Sequence, residues 1–324
     1  MEQGRHSVFF ACSAGVLVLL YLLSSTNLIL HEKKVEIYPI SVIVEDSSDE
    51  DYEKLRKGMD QAAEALHVDL NFITLYEPND QEQQLQLISR EISDGARAVI
   101  FSPAAPAKAA PALDEMVLNS PLVVLGNPFP HPQVLCGISI DYMEAGRLLG
   151  EAAGELSGDY PIYLITQGLD YGYARELKDG VLKALEQQEK RVTLYPLNSE
   201  DDCRQLIEST VYPQSQQVIL IALDEKSLEE AARVLEESSV YGGQVMGLFG
   251  IGGTNRILNY LDKGIIRGLV VHNLFDEGYL SVEKAVEAIQ EGGGTRGQIT
   301  LEAYYITKEA LRDSKYEKML YPID

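Results

Sequence analysis

The sequence predicts an α/β protein of two doubly wound, parallel-sheet lobes. Three observations carry that reading. From Val35 onward, short apolar runs alternate with stretches of helical period. The apolar runs are rich in Val, Ile and Leu and read as near-continuous hydrophobic strands, the pattern of parallel sheets covered on both faces. The alternation repeats about ten times, too often for one open sheet of ordinary size.

The first strand is "VEIYPISVIVE". "DYEKLRKGMDQAAEALH" follows as a helix, because Leu55, Met59, Ala62 and Leu66 fall on one face. "VDLNFITLY" is a strand, "DQEQQLQLISREISDG" a helix closed by Gly95, and "ARAVIFSP" a strand. "KAAPALDEMVLNS" reads as helix, then "PLVVLGN" and "QVLCGISI" as strands. The beat resumes with helix "DYMEAGRLLGEAAGELSG" and strand "PIYLITQG", then helix "YGYARELKDGVLKALEQQ" and strand "RVTLYPL". Helix "SEDDCRQLIESTV" leads to strand "QQVILIAL", and helix "DEKSLEEAARVLEES" to strand "GQVMGLFGI". The segment "GIGGTNRILNYLDKG" supplies the next helix and "IIRGLVVHN" the next strand. "DEGYLSVEKAVEAIQEGG" is the last long helix and "GQITLEAYYIT" the last strand; the tail "KEALRDSKYEKMLYPID" reads as a short polar helix that frays. No low-complexity linker separates the lobes, so short crossings join them.

The N-terminus follows another rule. The run Ser7 to Leu30, "SVFFACSAGVLVLLYLLSSTNLIL", carries no charge. It would span a bilayer core of about 30 Å at about 1.5 Å per helical residue. A cleaved signal peptide is the rival reading, but "SSTN" followed by "LIL" is a poor cleavage site, and "FFAC" is no lipobox. The expectation is therefore one retained transmembrane helix within an anchor of residues 1–34. Arg5 on one side and Lys33 and Lys34 on the other leave the orientation open.

Composition excludes several function classes. The chain has 324 residues, 50 acidic against 27 basic, for a formal net charge of -23. That balance, with no Lys/Arg stripe to override it, opposes binding to nucleic acid or anionic lipid heads. Cys12, Cys136 and Cys203 form no CxxC, and the five histidines (His6, His31, His67, His131, His272) form no HxxH or HExxH pattern. No metal site and no cofactor are expected.

Glycines between a strand and a helix, as in "GIGGTNRILNYLDKG", are where a protein would cradle a phosphate. As a dinucleotide fingerprint the segment fails. Asn255 stands where the third glycine belongs, and the following strand "LVVHN" ends without an acidic residue. A membrane-tethered NAD-dependent enzyme and a ligand-free structural surface protein remain the alternatives to a binding protein. No nucleophile–base pair is evident, so no enzyme is expected.

One stretch, "ISIDYMEAGRLLGEAAG", puts Asp141 at a strand end and Ala145-Gly146 in the helix that follows. "GARAVIFSP", "YARELKDGVLKAL", "GIGGTNRILNYLDKGII" and "VVHNLFDEGYLSVEKAVEAI" complete an ordered set of landmarks over residues 35–307. With these the chain resembles the type I periplasmic binding proteins, the ribose- and galactose-binding family related to the core of lactose-type repressors. An apolar anchor stands where a repressor carries its helix-turn-helix.

The resemblance implies lobe 1 from residues 35–139 and 273–299, lobe 2 from 140–272 and 300–308, and a tail of 309–324. It places the crossings near 139–141, 272–273 and 299–301. It implies an extracytoplasmic, membrane-held domain that closes over a small polar ligand, a sugar or sugar-like molecule. The implied partner is an ABC permease or a membrane sensor histidine kinase.

It also names ligand contacts. Arg175 would offer a fork of donors to hydroxyls or a carboxylate; otherwise it is a surface residue. Asp141 stands before a helical run, where Asp caps a helix, and is also a contact by resemblance; Asp224 lies one residue past the position of the family's ligand Asn and is taken as a contact in its place. His272 stands where sugar binders carry Gln and could donate or accept one hydrogen bond; its other reading is a buried hinge residue. Tyr52 matches an aromatic that stacks on a sugar ring, and Ser102 a polar contact. Asn127 follows Gly126 where relatives carry an Asp-Arg pair. Gly252 stands where ribose binders carry Asp, and Leu223 holds the family's Asn position. Independently of the resemblance, Glu45 and Asp46 end the first strand, facing the crevice at the strand carboxyl ends. Glu50 and Asp51 read as helix-start acids that suit their own helix dipole.

Overall fold

The computed structural model describes residues 13–22, 36–44, 50–77, 80–126, 128–156, 158–168, 172–197, 200–214, 216–291 and 296–321. The chain divides into two units, Met1–Ile37 and Tyr38–Asp324. In the first, residues 13–22 are helical and exposed. The rest of the apolar run Ser7–Leu30 lies outside the described residues; among the described residues no helix is long and apolar enough to cross a membrane.

The second unit holds two six-stranded sheets. The strands are β1 (Tyr38–Val44), β2 (Val68–Thr74), β3 (Ala98–Phe101), β4 (Leu122–Leu125), β5 (Val134–Ile140), β6 (Ile162–Thr166), β7 (Val192–Pro196), β8 (Val218–Ala222), β9 (Val245–Ile251), β10 (Gly268–His272), β11 (Gly297–Leu301) and β12 (Ala303–Ile306). The first sheet runs β11-β5-β4-β3-β1-β2 and the second β12-β10-β9-β8-β6-β7. Every pairing is parallel except β10 with β12.

Helices cover both faces of each sheet, which is why the inner strands carry apolar residues throughout. All four residues of β3 are buried. Ile100 joins Met59 on one face, while Val99 and Phe101 join Ile88 and Leu113 on the other. The edge strand β2 is half-buried: Val68, Leu70 and Phe72 alternate onto one core, and Ile73 turns to the other.

The chain changes sheets after Ile140, after His272 and at Glu302. Residues 297–307, one strand by sequence, are two. Leu301 pairs with Ile140 in the first sheet, while Ala303 pairs with His272 in the second. The second stretch enters its sheet from the opposite end, so β12 is antiparallel. As far as it is described, to residue 321, the tail is folded against the second lobe rather than frayed. A 3₁₀ turn, Lys308–Arg312, leads to the helix Ser314–Leu320, whose Met319 and Leu320 are buried in the second lobe's core. Ala310, Leu311 and Tyr316 pack against the same core and help to dock it. The helix expected at 108–120 forms earlier, at Pro106–Asp114, with proline at its start.

Each lobe contains one tight pair of helices. In the first, Glu50–Leu66 packs on Leu274–Glu291; in the second, Tyr142–Gly154 packs on Gly172–Glu186. Glycine makes both contacts possible. A Cβ on Gly58 would overlap the Phe275 carbonyl, and one on Gly146 the Leu177 carbonyl. Gly146→Val should lower stability by about 2 kcal/mol or more in urea denaturation. Gly243→Ala, where a Cβ meets open space, should stay within about 0.5 kcal/mol.

Candidate functional site

At the carboxyl end of β9 the chain turns through Gly252–Thr254 into the helix Asn255–Lys263. Thr254 caps that helix, its Oγ1 accepting from Ile257 N at 3.3 Å. Gly252 has φ +145°, a conformation open to glycine. Its N–H donates to the Val270 carbonyl at 3.2 Å. Gly253 donates its N–H to Glu225 Oε1 at 3.1 Å, and its carbonyl accepts from Lys54 Nζ at 2.5 Å. The N–H of Asn255 donates to Glu50 Oε2 at 2.5 Å. Lys54 and Glu50 belong to the first lobe, so the glycine loop is where the lobes touch. The helix N-terminus is taken by a carboxylate of the chain itself, which suits its dipole.

Beside this contact lies a cavity of about 150 Å³. The first lobe contributes Asp51 and Lys54; the second contributes Tyr142, Tyr173, Glu225, Gly252 and His272. Ile251, Val270, Val271, Leu274, Met319 and Leu320 add apolar surface. Asp51 Oδ1 is buried without a hydrogen bond, 3.6 Å from Lys54 Nζ. The rings of Tyr142 and Tyr173 lie 5.2 Å apart at 35°. Burial, and then the charge of Glu277, push the Tyr142 phenol well above its ordinary pKa. The hydroxyl therefore keeps its proton. Burial also raises the carboxyl of Glu176, helped by Asp141 and Asp179.

His272, at the end of β10, both lines the cavity and ties the lobes. Its Nε2 lies 3.1 Å from Glu277 Oε2, and Glu277 Oε1 accepts the Gly126 N–H at 3.1 Å. Glu277 is buried, with side-chain exposure of 4%. One carboxylate thus joins the end of β10 to the end of β4.

Of the residues singled out by sequence, Gly252 and His272 line the cavity. Asp141 caps the helix Tyr142–Gly154, accepting from Glu144 N at 2.9 Å. Asp224 is buried and fully engaged, accepting from Ser227 N at 2.8 Å, Ser227 Oγ at 2.9 Å and Gln167 N at 2.9 Å. Tyr52 sits in the first lobe's core, edge-on to Phe72 at 6.2 Å. Ser102 is half-buried at the end of β3, and its carbonyl accepts from Gln84 Nε2 at 2.7 Å. Arg175 is exposed on its helix. Glu45, Asp46 and Asn127 lie outside the described residues. Sequence reasoning missed Tyr142, Tyr173, Lys54 and Glu225 and assigned Asp51 and Glu50 to their own helix. Tyr142 and Tyr173 stood inside the quoted motifs, each at a helix start after a strand, and that position was the available signal.

Residues 40–294 match the family model of the periplasmic binding protein domain. The chain belongs to this family. Among solved structures, this periplasmic binding protein is similar to a carbohydrate transporter solute binding protein from Agrobacterium radiobacter in complex with D-arabinose. The two are 16% identical, with 89% of this chain and 100% of that chain covered and a TM-score of 0.78. A Bacillus halodurans solute binding protein with bound myo-inositol is 18% identical, covering 89% of this chain and 99% of its own, with a TM-score of 0.76. A glucose-galactose binding protein from Geobacillus stearothermophilus is 20% identical, covering 86% and 99%, with a TM-score of 0.74. All three are named as binding proteins rather than enzymes. At these identities the likeness is one of fold. No curated protein sequence matches the chain.

In this binding protein the inter-lobe carboxylate is open to test. Glu277→Leu leaves His272 without its partner and the Gly126 N–H with only the Ile138 carbonyl, at 2.9 Å, and should cost about 1–3 kcal/mol in urea denaturation. Glu277→Gln retains an acceptor and should cost less.

Proposed function

We propose that the protein is a membrane-anchored, extracytoplasmic receptor that closes two lobes over a small polar ligand of the sugar class. The observation that carries this reading is the inter-lobe cavity, with its tyrosine pair and the open acceptor Asp51 Oδ1. A sugar presents C–H faces to aromatic rings and hydroxyls to converging polar groups. The sugars and polyol named for the relatives support the same class. Gly252 and His272 stay in the proposed site, joined by Asp51, Lys54, Tyr142, Tyr173 and Glu225. The dinucleotide alternative loses its best feature, because Glu50 holds the helix N-terminus that a phosphate would need.

A ligand that touches both lobes favours the closed state over the open one. The closed surface would then be read by an ABC permease or a membrane sensor histidine kinase. The uncharged run Ser7–Leu30 would keep the receptor beside either partner.

Two outcomes are expected. In a thermal-shift screen of sugars and polyols, a true ligand at about 100 times its Kd adds about 2.7 kcal/mol of stability. Tyr173→Ala and Tyr142→Ala should each weaken that ligand at least about tenfold, the effect of losing one packed aromatic contact. Unchanged affinity in both variants would remove the cavity from the proposal. For the anchor, the mature chain should fractionate with membranes and retain its N-terminus. A mature chain beginning between Ser25 and Lys34 would rule it out.

A further inference from the structure

The helix Ser314–Leu320 lies beyond residues 40–294, the span matched by the family model. Its sequence, "SKYEKML", is polar until its last two residues. Yet it is held at several points. Asp313 caps it, accepting from Lys315 N at 2.9 Å. Tyr316 packs edge-on to Tyr304 of β12 at 5.8 Å, and Lys315 Nζ sits 5.2 Å above the Tyr304 ring. Just before it, Lys308 and Arg312 approach Asp262 at 3.6 and 3.7 Å. Asp262 is on the helix whose N-terminus meets the first lobe. The segment is thereby fastened both to the sheet edge and to the element that carries the glycine loop.

This fastening delivers Met319 and Leu320, 8% and 2% exposed, to the wall of the inter-lobe cavity. They pack with Val271 on one face of the second sheet, whereas Tyr142 packs with the cluster on the other face. The cavity therefore spans the sheet end, with the tyrosine pair towards one face and a methionine–leucine wall towards the other.

We propose that the carboxy-terminal helix is a selectivity element of the ligand site. Met319 and Leu320 favour a ligand that presents a C–H edge to them, a deoxy or methyl-bearing sugar over its hydroxylated counterpart. This rests on the sugar-receptor reading above. A hydroxyl pressed against this wall gives up water and gains no partner, which weakens binding roughly tenfold or more. A methyl or methylene group at the same place gains by burial.

The test is calorimetry on the full-length chain with sugar pairs that differ by one hydroxyl: D-fucose and D-galactose, L-rhamnose and L-mannose, 2-deoxy-D-ribose and D-ribose. D-arabinose and myo-inositol complete the panel. The wild type should prefer the deoxy member of at least one pair by about tenfold. Met319→Gln and Leu320→Thr should each cut that preference at least about fivefold, since each brings a hydrogen-bonding group to the wall. Leu311→Ala, which packs against the same core without lining the cavity, should lower the melting temperature and leave the preference intact. If circular dichroism shows Leu320→Thr unfolded, Met319→Gln decides. Equal binding within every pair, or a preference that survives the wall variants, overturns the inference and leaves the receptor reading standing. Binding of no panel sugar by the wild type or the wall variants counts against both.

Discussion

Two close approaches of helix backbone, Gly58 to Phe275 and Gly146 to Leu177, hold the cleft in place. Each lies within the helix pair that covers its lobe beside the crossings. The first pair sets the start of the helix Glu50–Leu66, and with it Glu50, Asp51 and Lys54. The second sets the starts of Tyr142–Gly154 and Gly172–Glu186, and so brings Tyr142 to Tyr173. A carbonyl where a Cβ would stand leaves no slack, and packed interiors transmit such shifts. Asp141, Asn273 and Glu302 are the points where the chain passes between the lobes.

Electrostatics at the cleft is local rather than global. The chain is strongly acidic, but the carboxylates that meet the cleft are each engaged differently. Glu50 caps a helix of the opposite lobe, Glu225 accepts from the glycine loop, and Glu277 bridges His272 and Gly126. Only Asp51 keeps a buried oxygen without a hydrogen bond among the described cavity-lining residues. Elsewhere on the second lobe, the half-buried Arg204 and the exposed Arg233 pair with the exposed Glu237, and such surface pairs contribute little.

Much of the architecture was legible because it rests on short-range patterns. "AVIF" and "VILIA" are buried throughout, as uninterrupted apolar runs in a covered parallel sheet should be. Leu55, Met59, Ala62 and Leu66 do line one helix face. The site was less legible. Tyr52 and Asp224 satisfy the sequence pattern of a contact, but the first is spent on core packing and the second on three donors. The carboxy-terminal helix was legible as a short helix, but its docking was not, because Tyr316, Met319 and Leu320 are too few apolar residues to register as a period.

The sequence by itself determined the α/β alternation, most of the element order and the Asp141 cap, because each depends on residues a few positions apart. Asp141 and Glu144, or Asp224 and Ser227, are three residues apart, and their hydrogen bonds follow from that spacing. Tertiary structure decided which polar groups line the inter-lobe cavity. Lys54 reaches Gly253 across 199 residues, and Glu50 reaches Asn255 across 205. Whether an acid at a helix start serves its own helix or another lobe's is settled by how the lobes meet, and no local pattern encodes that distance.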